Sequence, residues 1–466
     1  MGLTEKCGVN HVDHIVKKPT VWAKINLLCS DGLFLLFFFD KDDEPNCFLI
    51  FYDKRRSVGK MKNRWLIVLA AIGIHICIGS VYAWSVLTKP IMQEMGFTLK
   101  ETTWTFSIAI LFLGLSAGFL GSFVEKYGPR KSGLVSTVFF VLGMFGTAFA
   151  LHMHSLILLY IFYGVVGGIG LGVGYITPVS TLVKWFPDKR GLATGLAIMG
   201  FGFASLIAGP VMQLLVREFG LVTNFLILGV VYMLVMASAA FYLAPPPKTG
   251  AETAVKSKTI KANLYRQFTA NEAMHTWQFY ALWWVFFTNI TCGIGLLSVA
   301  SPMAQEIVKM SPAAAASMVG IIGLLNGLGR IVWASLSDYW GRGFTYILFF
   351  IFEVAAFFQL ADTADAFRFQ ILVFLIITCY GGGFSCMPAY LSDLFGTKQL
   401  SAIHGRILTA WGAAGVAGPV LLTWIRETTN SYAATLYFFS ACFVLSLFIA
   451  IILKVKTKRG VLVRPQ

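Results

Sequence analysis

Apolar runs long enough to cross a bilayer recur along the chain, at about 65–87, 103–124, 132–151, 155–182, 191–216 and 221–243, and again at about 277–300, 312–335, 343–361, 367–391, 402–424 and 431–453. A hydrocarbon core takes about 20 mostly apolar residues per helix, so each run predicts one spanning helix. The alternation over about ten residues that marks an outer-membrane barrel is absent. The pattern predicts an all-α membrane protein with twelve transmembrane helices in two six-helix halves. Its expected organisation is an extension over 1–60, a six-helix bundle over 61–243, a central loop over 244–276, a second bundle over 277–453 and a basic tail over 454–466. The loop opens with Pro245, Pro246 and Pro247 and carries Lys248, Lys256, Lys258, Lys261 and Arg266, too polar to insert and long enough to join two bundles.

The first sixty residues follow another pattern. Leu33 to Phe39 and Cys47 to Tyr52 are apolar but too short to span, and Asp40, Lys41, Asp42, Asp43, Glu44 and Pro45 separate them. Met61 is followed by Lys62, Asn63, Arg64 and then a clean apolar run, the usual opening of a polytopic protein without a cleaved signal. Residues 1–60 therefore read as a poorly ordered extension, or as sequence upstream of the true start.

Composition agrees with lipid as the solvent: 57% of residues are hydrophobic and 13% charged, against about 25% charged in a soluble domain. The net charge of +15 resides between the apolar runs rather than on an aromatic-interleaved basic surface, so no nucleic-acid partner is expected. One set of loops holds Lys62, Arg64, Lys126, Arg130, Lys131, Lys184, Lys189, Arg190, Arg342, Lys398, Arg406 and the tail lysines; the other holds only Lys89, Lys100, Arg217, Lys309, Arg368 and Arg426. By the positive-inside rule the first face is cytoplasmic, with both termini inside the cell membrane. The eight cysteines show no zinc spacing and read as small apolar fillers. No metal or other cofactor is expected, and no phosphate-binding glycine loop with Lys-Ser/Thr supports ATP-driven transport.

Local motifs recur at offsets of 209 to 213 residues. Lys89-Pro90-Ile91-Met92-Gln93-Glu94 returns as Ser301-Pro302-Met303-Ala304-Gln305-Glu306, Glu125 as Asp338 in matching strings that end at Gly128 and Gly341, Pro178 as Pro388, and Gly209-Pro210 as Gly418-Pro419. Such an internal repeat is the mark of a transporter built from related halves. The prolines break the helical ladder in matching places, giving bends that a rocking carrier uses. Gly164, Gly168 and Gly172, with Gly191 and Gly195, have the small-xxx-small spacing that lets helices approach closely in lipid.

Arg330 stands alone in an apolar run, where a charge costs about 2.5–3.5 kcal/mol on insertion scales. Its fork fits a carboxylate through two parallel bonds, although snorkelling or pairing with Asp338 would also explain it. His75 lies mid-way along the first predicted span and Glu353 within the ninth, and either could carry a coupling proton; His75 reads equally as a hydrogen-bonded helix contact, and Glu353 reads rather as peripheral.

The loop Glu125-Lys126-Tyr127-Gly128-Pro129-Arg130-Lys131 resembles the signature between the second and third helices of the major facilitator superfamily. An acid at a helix end can bind neighbouring helix termini and bases, so Glu125, Arg130, Asp338 and Arg342 are expected to latch the cytoplasmic side. Trp185-Phe186-Pro187-Asp188-Lys189-Arg190-Gly191-Leu192-Ala193-Thr194-Gly195, with Tyr82-Ala83-Trp84, Asn326 to Arg330 and Asp393 to Thr397, resembles the oxalate/formate antiporter family within that superfamily. The resemblance implies exchange or uptake of small organic anions through a central site of aromatic and cationic side chains. It puts Arg330 on the substrate-binding arginine and Tyr82, Tyr175 and Tyr380 on aromatic site positions. Phe201 and Phe384 fall where the family can carry tyrosine, and Trp411 where oxalate-transporting members carry a lysine. One fixed cation suits a monocarboxylate, since a dianion would keep a net charge in low dielectric.

The expected function is alternating-access exchange of small monocarboxylates such as formate, pyruvate or lactate by a monomer in the bilayer. Proton-coupled symport, oxalate/formate antiport and a membrane carboxylate sensor stay open as alternatives. An enzyme is not expected, because no nucleophile, metal site or acid/base pair assembles from the sequence.

Overall fold

The computed structural model describes residues 33–36, 50–53, 62–247 and 267–458. The rest of the N-terminal extension, residues 248–266 of the central loop and the tail beyond residue 458 lie outside them. Two strands, β1 (Leu33–Leu36) and β2 (Ile50–Asp53), pair antiparallel with Leu33 opposite Asp53 and form a unit of their own.

From Arg64 onward the described chain is helical, and ten of its helices are long and apolar enough to cross a membrane. Two of them are too long for one crossing. Leu99–His152 has 54 residues and Arg190–Tyr242 has 53, about 80 Å each if straight, against 40–45 Å for a whole bilayer. Both fold in two at a glycine: Gly128 (φ 78°, ψ 171°) and Gly220 (φ 80°, ψ 171°) leave the helical region for a conformation that disfavours a side chain. Eight single helices and four legs make twelve: α1 (Arg64–Met95), α2 and α3 (99–127 and 129–152), α4 (Leu156–Trp185), α5 and α6 (190–219 and 221–242), α7 (Trp277–Ile307), α8 (Pro312–Trp340), α9 (Arg342–Ala361), α10 (Ala366–Phe395), α11 (Leu400–Thr429) and α12 (Tyr432–Lys458).

The ends follow local chemistry. Thr98 and Glu101 form a reciprocal capping box at α2, Ser311 caps α8 with Pro312 in its first turn, and Asp365 caps α10 through the Arg368 amide. Gly341, at φ 84°, turns the chain between α8 and α9 as Gly128 turns it between α2 and α3. The motif repeat therefore has a backbone counterpart. Two departures from regular helix escape the hydrophobic pattern: a 3₁₀ turn at Ser80–Ala83 within α1 and a π-helical stretch at Tyr160–Gly167 within α4.

Two seams bring the six legs of residues 64–242 against the six helices of residues 277–458. Along α2 and α11, a Cβ added at Gly405 would sit 2.0 Å from the Ala117 carbonyl oxygen, and one at Gly114 2.7 Å from Gly412 Cα. Along α5 and α8, a Cβ at Gly191 would meet the Ala334 oxygen at 2.1 Å and one at Gly195 the Arg330 oxygen at 2.7 Å. Lipid supplies no hydrophobic drive between helices, so this backbone contact is what holds them. Farther along α8, Gly320 and Gly323 face open space, so the α5–α8 seam is tight at the face carrying Lys184, Lys189 and Arg190 and loosens beyond Gly327.

Gly405→Leu should part the α2–α11 seam, because backbone on both sides cannot move aside. A lowered melting temperature and faster labelling of a cysteine placed at Ser401 would report it; unchanged values for both would show that the contact is not required.

Candidate functional site

The break in α1 sets the centre of the molecule. Gly79 packs so closely on α5 that an added Cβ would lie 2.6 Å from the Phe201 oxygen. The 3₁₀ turn that follows carries Tyr82, whose ring meets Phe201 edge-on at 5.0 Å. Trp411 of α11 lies at the hub, its ring centroid 4.7 Å from Phe384, 5.1 Å from Tyr175, 5.5 Å from Phe201 and 6.5 Å from Tyr82. Tyr380 packs on Phe384 at 5.3 Å, and its hydroxyl lies 3.4 Å from that of Tyr82. All six aromatic residues expected from the sequence therefore converge, drawn from α1, α4, α5, α10 and α11, and only Tyr82 is not fully buried.

Arg330 of α8 enters this cage with none of its surface exposed. Its guanidinium carbon stands over the Phe384 ring at 5.1 Å and over Phe201 at 5.9 Å. Nε donates to Asn326 Oδ1 at 3.4 Å, Nη1 donates to the Ile198 oxygen at 3.1 Å, and Nη2 has no partner among the described residues. No described acid pairs with it. The pairing with Asp338 does not form, because that carboxylate is held elsewhere. The Tyr175 hydroxyl and the Trp411 indole N–H are also buried without partners, and the Tyr82 hydroxyl lies against both Arg330 and Trp411.

Next to the cage, His75 is fully buried, with Nδ1 2.7 Å from the Ala197 oxygen and Nε2 3.2 Å from the Tyr175 oxygen. Both neighbours are backbone carbonyls, so a neutral ring, with a single N–H, donates to one of them, on α4 or on α5, and only the imidazolium donates to both. His404 of α11, which the sequence did not single out, is equally buried, has no hydrogen-bond partner among the described residues and packs 6.1 Å from Tyr175. Glu353 departs from its peripheral reading: it is 1% exposed, Oε1 accepts from Asn289 Nδ2 at 3.0 Å, and Oε2 has no partner. Hydropathy alone does not distinguish the inner from the outer face of α9, which is why the sequence misplaced it.

At the basic face the two motif acids cross over between the halves of the chain. Glu125 at the end of α2 accepts from the Ser401 amide at 2.7 Å, in the first turn of α11, and from Lys184 Nζ at 2.7 Å. Asp338 at the end of α8 accepts from the Gly191 and Leu192 amides at 3.0 Å each, in the first turn of α5, and from Arg342. Each acid neutralises the positive end of a helix from the other half. Asp393 extends the network, taking Arg190 at 3.1 Å and Arg342 at 3.3 Å. Arg130 takes no part: it is exposed and pairs with no described residue. Lys184, Arg190, Asp393 and Ser401 were not picked out as latch residues, although three of them lie in the loops and motifs already singled out; pairing between different helices, across 51 to 276 residues, cannot be read from local spacing.

A bundle of twelve legs in two sets, with a buried cation at the centre and an ion-paired closure at one face, defines a multi-pass membrane transporter. The chain belongs to the Major Facilitator Superfamily, whose pattern matches residues 69–419 and 291–465. It is similar to the oxalate:formate antiporter of Oxalobacter formigenes, 27% identical over 367 residues that cover 78% of this chain and 85% of that protein. It is also similar to apicoplast pyruvate carrier 1 of Toxoplasma gondii, 23% identical over 483 residues, 79% of this chain and 85% of that protein. The fold matches the Escherichia coli fucose:proton symporter FucP with a TM-score of 0.64 at 13% identity, covering 83% of this chain and 98% of the other.

Glu125→Ala and Asp338→Ala each remove a charge-assisted helix cap, an interaction of about 1.5–3 kcal/mol. Each should shift the resting balance toward opening at the basic face by tenfold or more. Labelling of single cysteines on the two faces measures this; labelling unchanged in both variants would reduce the acids to loop decoration.

Proposed function

We propose that this protein is a secondary carrier of small carboxylates, monocarboxylates foremost, that works by alternating-access exchange. The observation that carries the reading is the set of buried donors without acceptors: Arg330 Nη2, the Tyr175 hydroxyl and the Trp411 indole N–H, with the hydroxyls of Tyr82 and Tyr380 beside them. A carboxylate is acceptor-only and has about four lone-pair sites, which matches such a set. A single guanidinium neutralises one negative charge, and the rings around it exclude water that would solvate a second. The relatives named above, one an oxalate:formate antiporter and one a pyruvate carrier, support the substrate class.

Exchange follows from the same charge. An empty carrier must pass through its closed state with an unneutralised guanidinium, whereas a loaded one holds a neutral pair. If the empty crossing costs about 2.8 kcal/mol more, it is slower by about a hundredfold. The excess of Lys and Arg on the face latched by Glu125 and Asp338 supports a cytoplasmic placement of that face in the cell membrane, with both chain ends inside.

A second reading, proton-coupled uptake, is favoured by Glu353. It is faced by Asn289 and Cys292 of α7, Tyr346 of its own helix and Cys379 of α10, with no cation among them. A buried carboxyl without a cation is costly to ionise, so it can hold a proton.

Counterflow of formate, acetate, lactate, pyruvate, glycolate and oxalate in proteoliposomes tests the substrate class. Arg330→Gln should abolish transport with the fold intact, Arg330→Lys should lose most of it, and Trp411→Lys should raise acceptance of oxalate relative to monoanions. Normal transport by the glutamine variant, or a wild-type preference for oxalate over every monoanion, would sink the site as drawn. Glu353→Gln separates the two modes: if protons are coupled there, counterflow persists while stimulation of uptake by an acidic outside disappears. An unchanged pH response would leave Glu353 a structural acid.

A further inference from the structure

Apart from the aromatic cage, a lateral groove of about 720 Å³ runs between α2, α7 and α11. The short helix Ala270–Met274 contributes Asn271 and Met274 to it. Its apolar wall includes Leu115 and Phe119 of α2 and Tyr280 and Trp283 of α7. Phe119 is 80% and Tyr280 57% exposed. The groove therefore opens at the outer surface of the bundle, where a membrane protein meets lipid.

Arg406 stands at one end of this wall. It lies six residues into α11 from Leu400, about 9 Å along the axis. The headgroup layer is about 5–7 Å deep on each side, so with the start of α11 at the membrane surface the Arg406 backbone falls near the boundary between headgroups and acyl chains. Its partners are neutral, Asn271 Oδ1 at 2.7 Å and Met274 Sδ at 3.0 Å. No described acid pairs with it; Glu272, on the same short helix, turns its carboxylate to the Thr269 amide at 2.8 Å. A cation paired with no described acid, beside tyrosine and tryptophan at interfacial depth, complements the headgroup and upper chain of an acidic lipid.

We propose that this groove binds an anionic phospholipid, with the phosphate on Arg406 and an acyl chain along Phe119 and Trp283. The floor ties the site to the state of the carrier. A Cβ added at Gly118 would lie 2.9 Å from the Thr409 methyl, and the Thr409 hydroxyl accepts the Trp283 indole N–H at 2.9 Å. The site is therefore complete only while α2 touches α11, and its occupant favours the state closed at the basic face.

Full-length protein in nanodiscs of phosphatidylcholine, with and without phosphatidylglycerol, followed by native mass spectrometry, tests the assignment. Wild type should retain phosphatidylglycerol over phosphatidylcholine by about tenfold, and its melting temperature should rise with phosphatidylglycerol. Arg406→Gln should lose the preference and Arg406→Lys should keep most of it. Ser122→Trp, which obstructs the groove while leaving the guanidinium in place, should lose the lipid too. Equal retention of the two lipids by wild type overturns the proposal without reference to any variant. Soluble glycerol phosphate that displaces the lipid at comparable concentration would also overturn it, because the apolar wall would then contribute nothing.

Discussion

Backbone contact between α2 and α11 and between α5 and α8 is the constraint on which the rest depends. In lipid no apolar surface is removed from water when helices meet, so association relies on close packing and polar contacts. Gly114 and Gly405 in one seam, and Gly191 and Gly195 in the other, leave no room even for a Cβ. That proximity sets Trp411 of α11 and Arg330 of α8 against the aromatic residues of α1, α4 and α5. It also lays the ends of α2 and α8 on the first turns of α11 and α5, where Glu125 and Asp338 find free amides.

The seams thus join the gate to the binding centre. Gly191 touches the backbone of Ala334 beside the latch, and one turn farther Gly195 touches that of Arg330 itself. A rotation that parts the α5–α8 seam would break the Asp338 cap and move the guanidinium together. The Ile198 carbonyl that holds Arg330 Nη1 lies next to the Ala197 carbonyl that holds His75. One turn of α5 therefore contacts a helix from each half, as a pivot between alternate states would.

Charge is placed economically in the interior. Arg330 spends two of its nitrogens on neutral oxygens and keeps one unpartnered, while Glu353 shares one oxygen with an amide and keeps the other unpartnered. Groups left in this way cost stability unless a ligand or proton completes them. The latch is the opposite case, with each carboxylate saturated by amides and bases and both acids only partly exposed.

The apolar runs by themselves determined the all-α membrane class and the number of crossings, because a bilayer dictates helix length and forbids unpaired backbone. The isolation of Arg330 was equally legible, since a charge in an apolar run stands out without any knowledge of its neighbours. The resemblance in Trp185 to Gly195 and in Asn326 to Arg330 then pointed to the aromatic residues that the fold brings around it. Only the tertiary structure decided that Glu353 faces inward, that Arg130 stays outside the latch while Lys184, Arg190 and Asp393 enter it, and that Asp338 serves α5 rather than Arg330. Each of these depends on the rotation of a helix about its axis or on a contact between segments far apart in the chain. Hydrophobic periodicity is weak in helices that are apolar on every side, so such rotations are fixed by packing and not by the local pattern of residues.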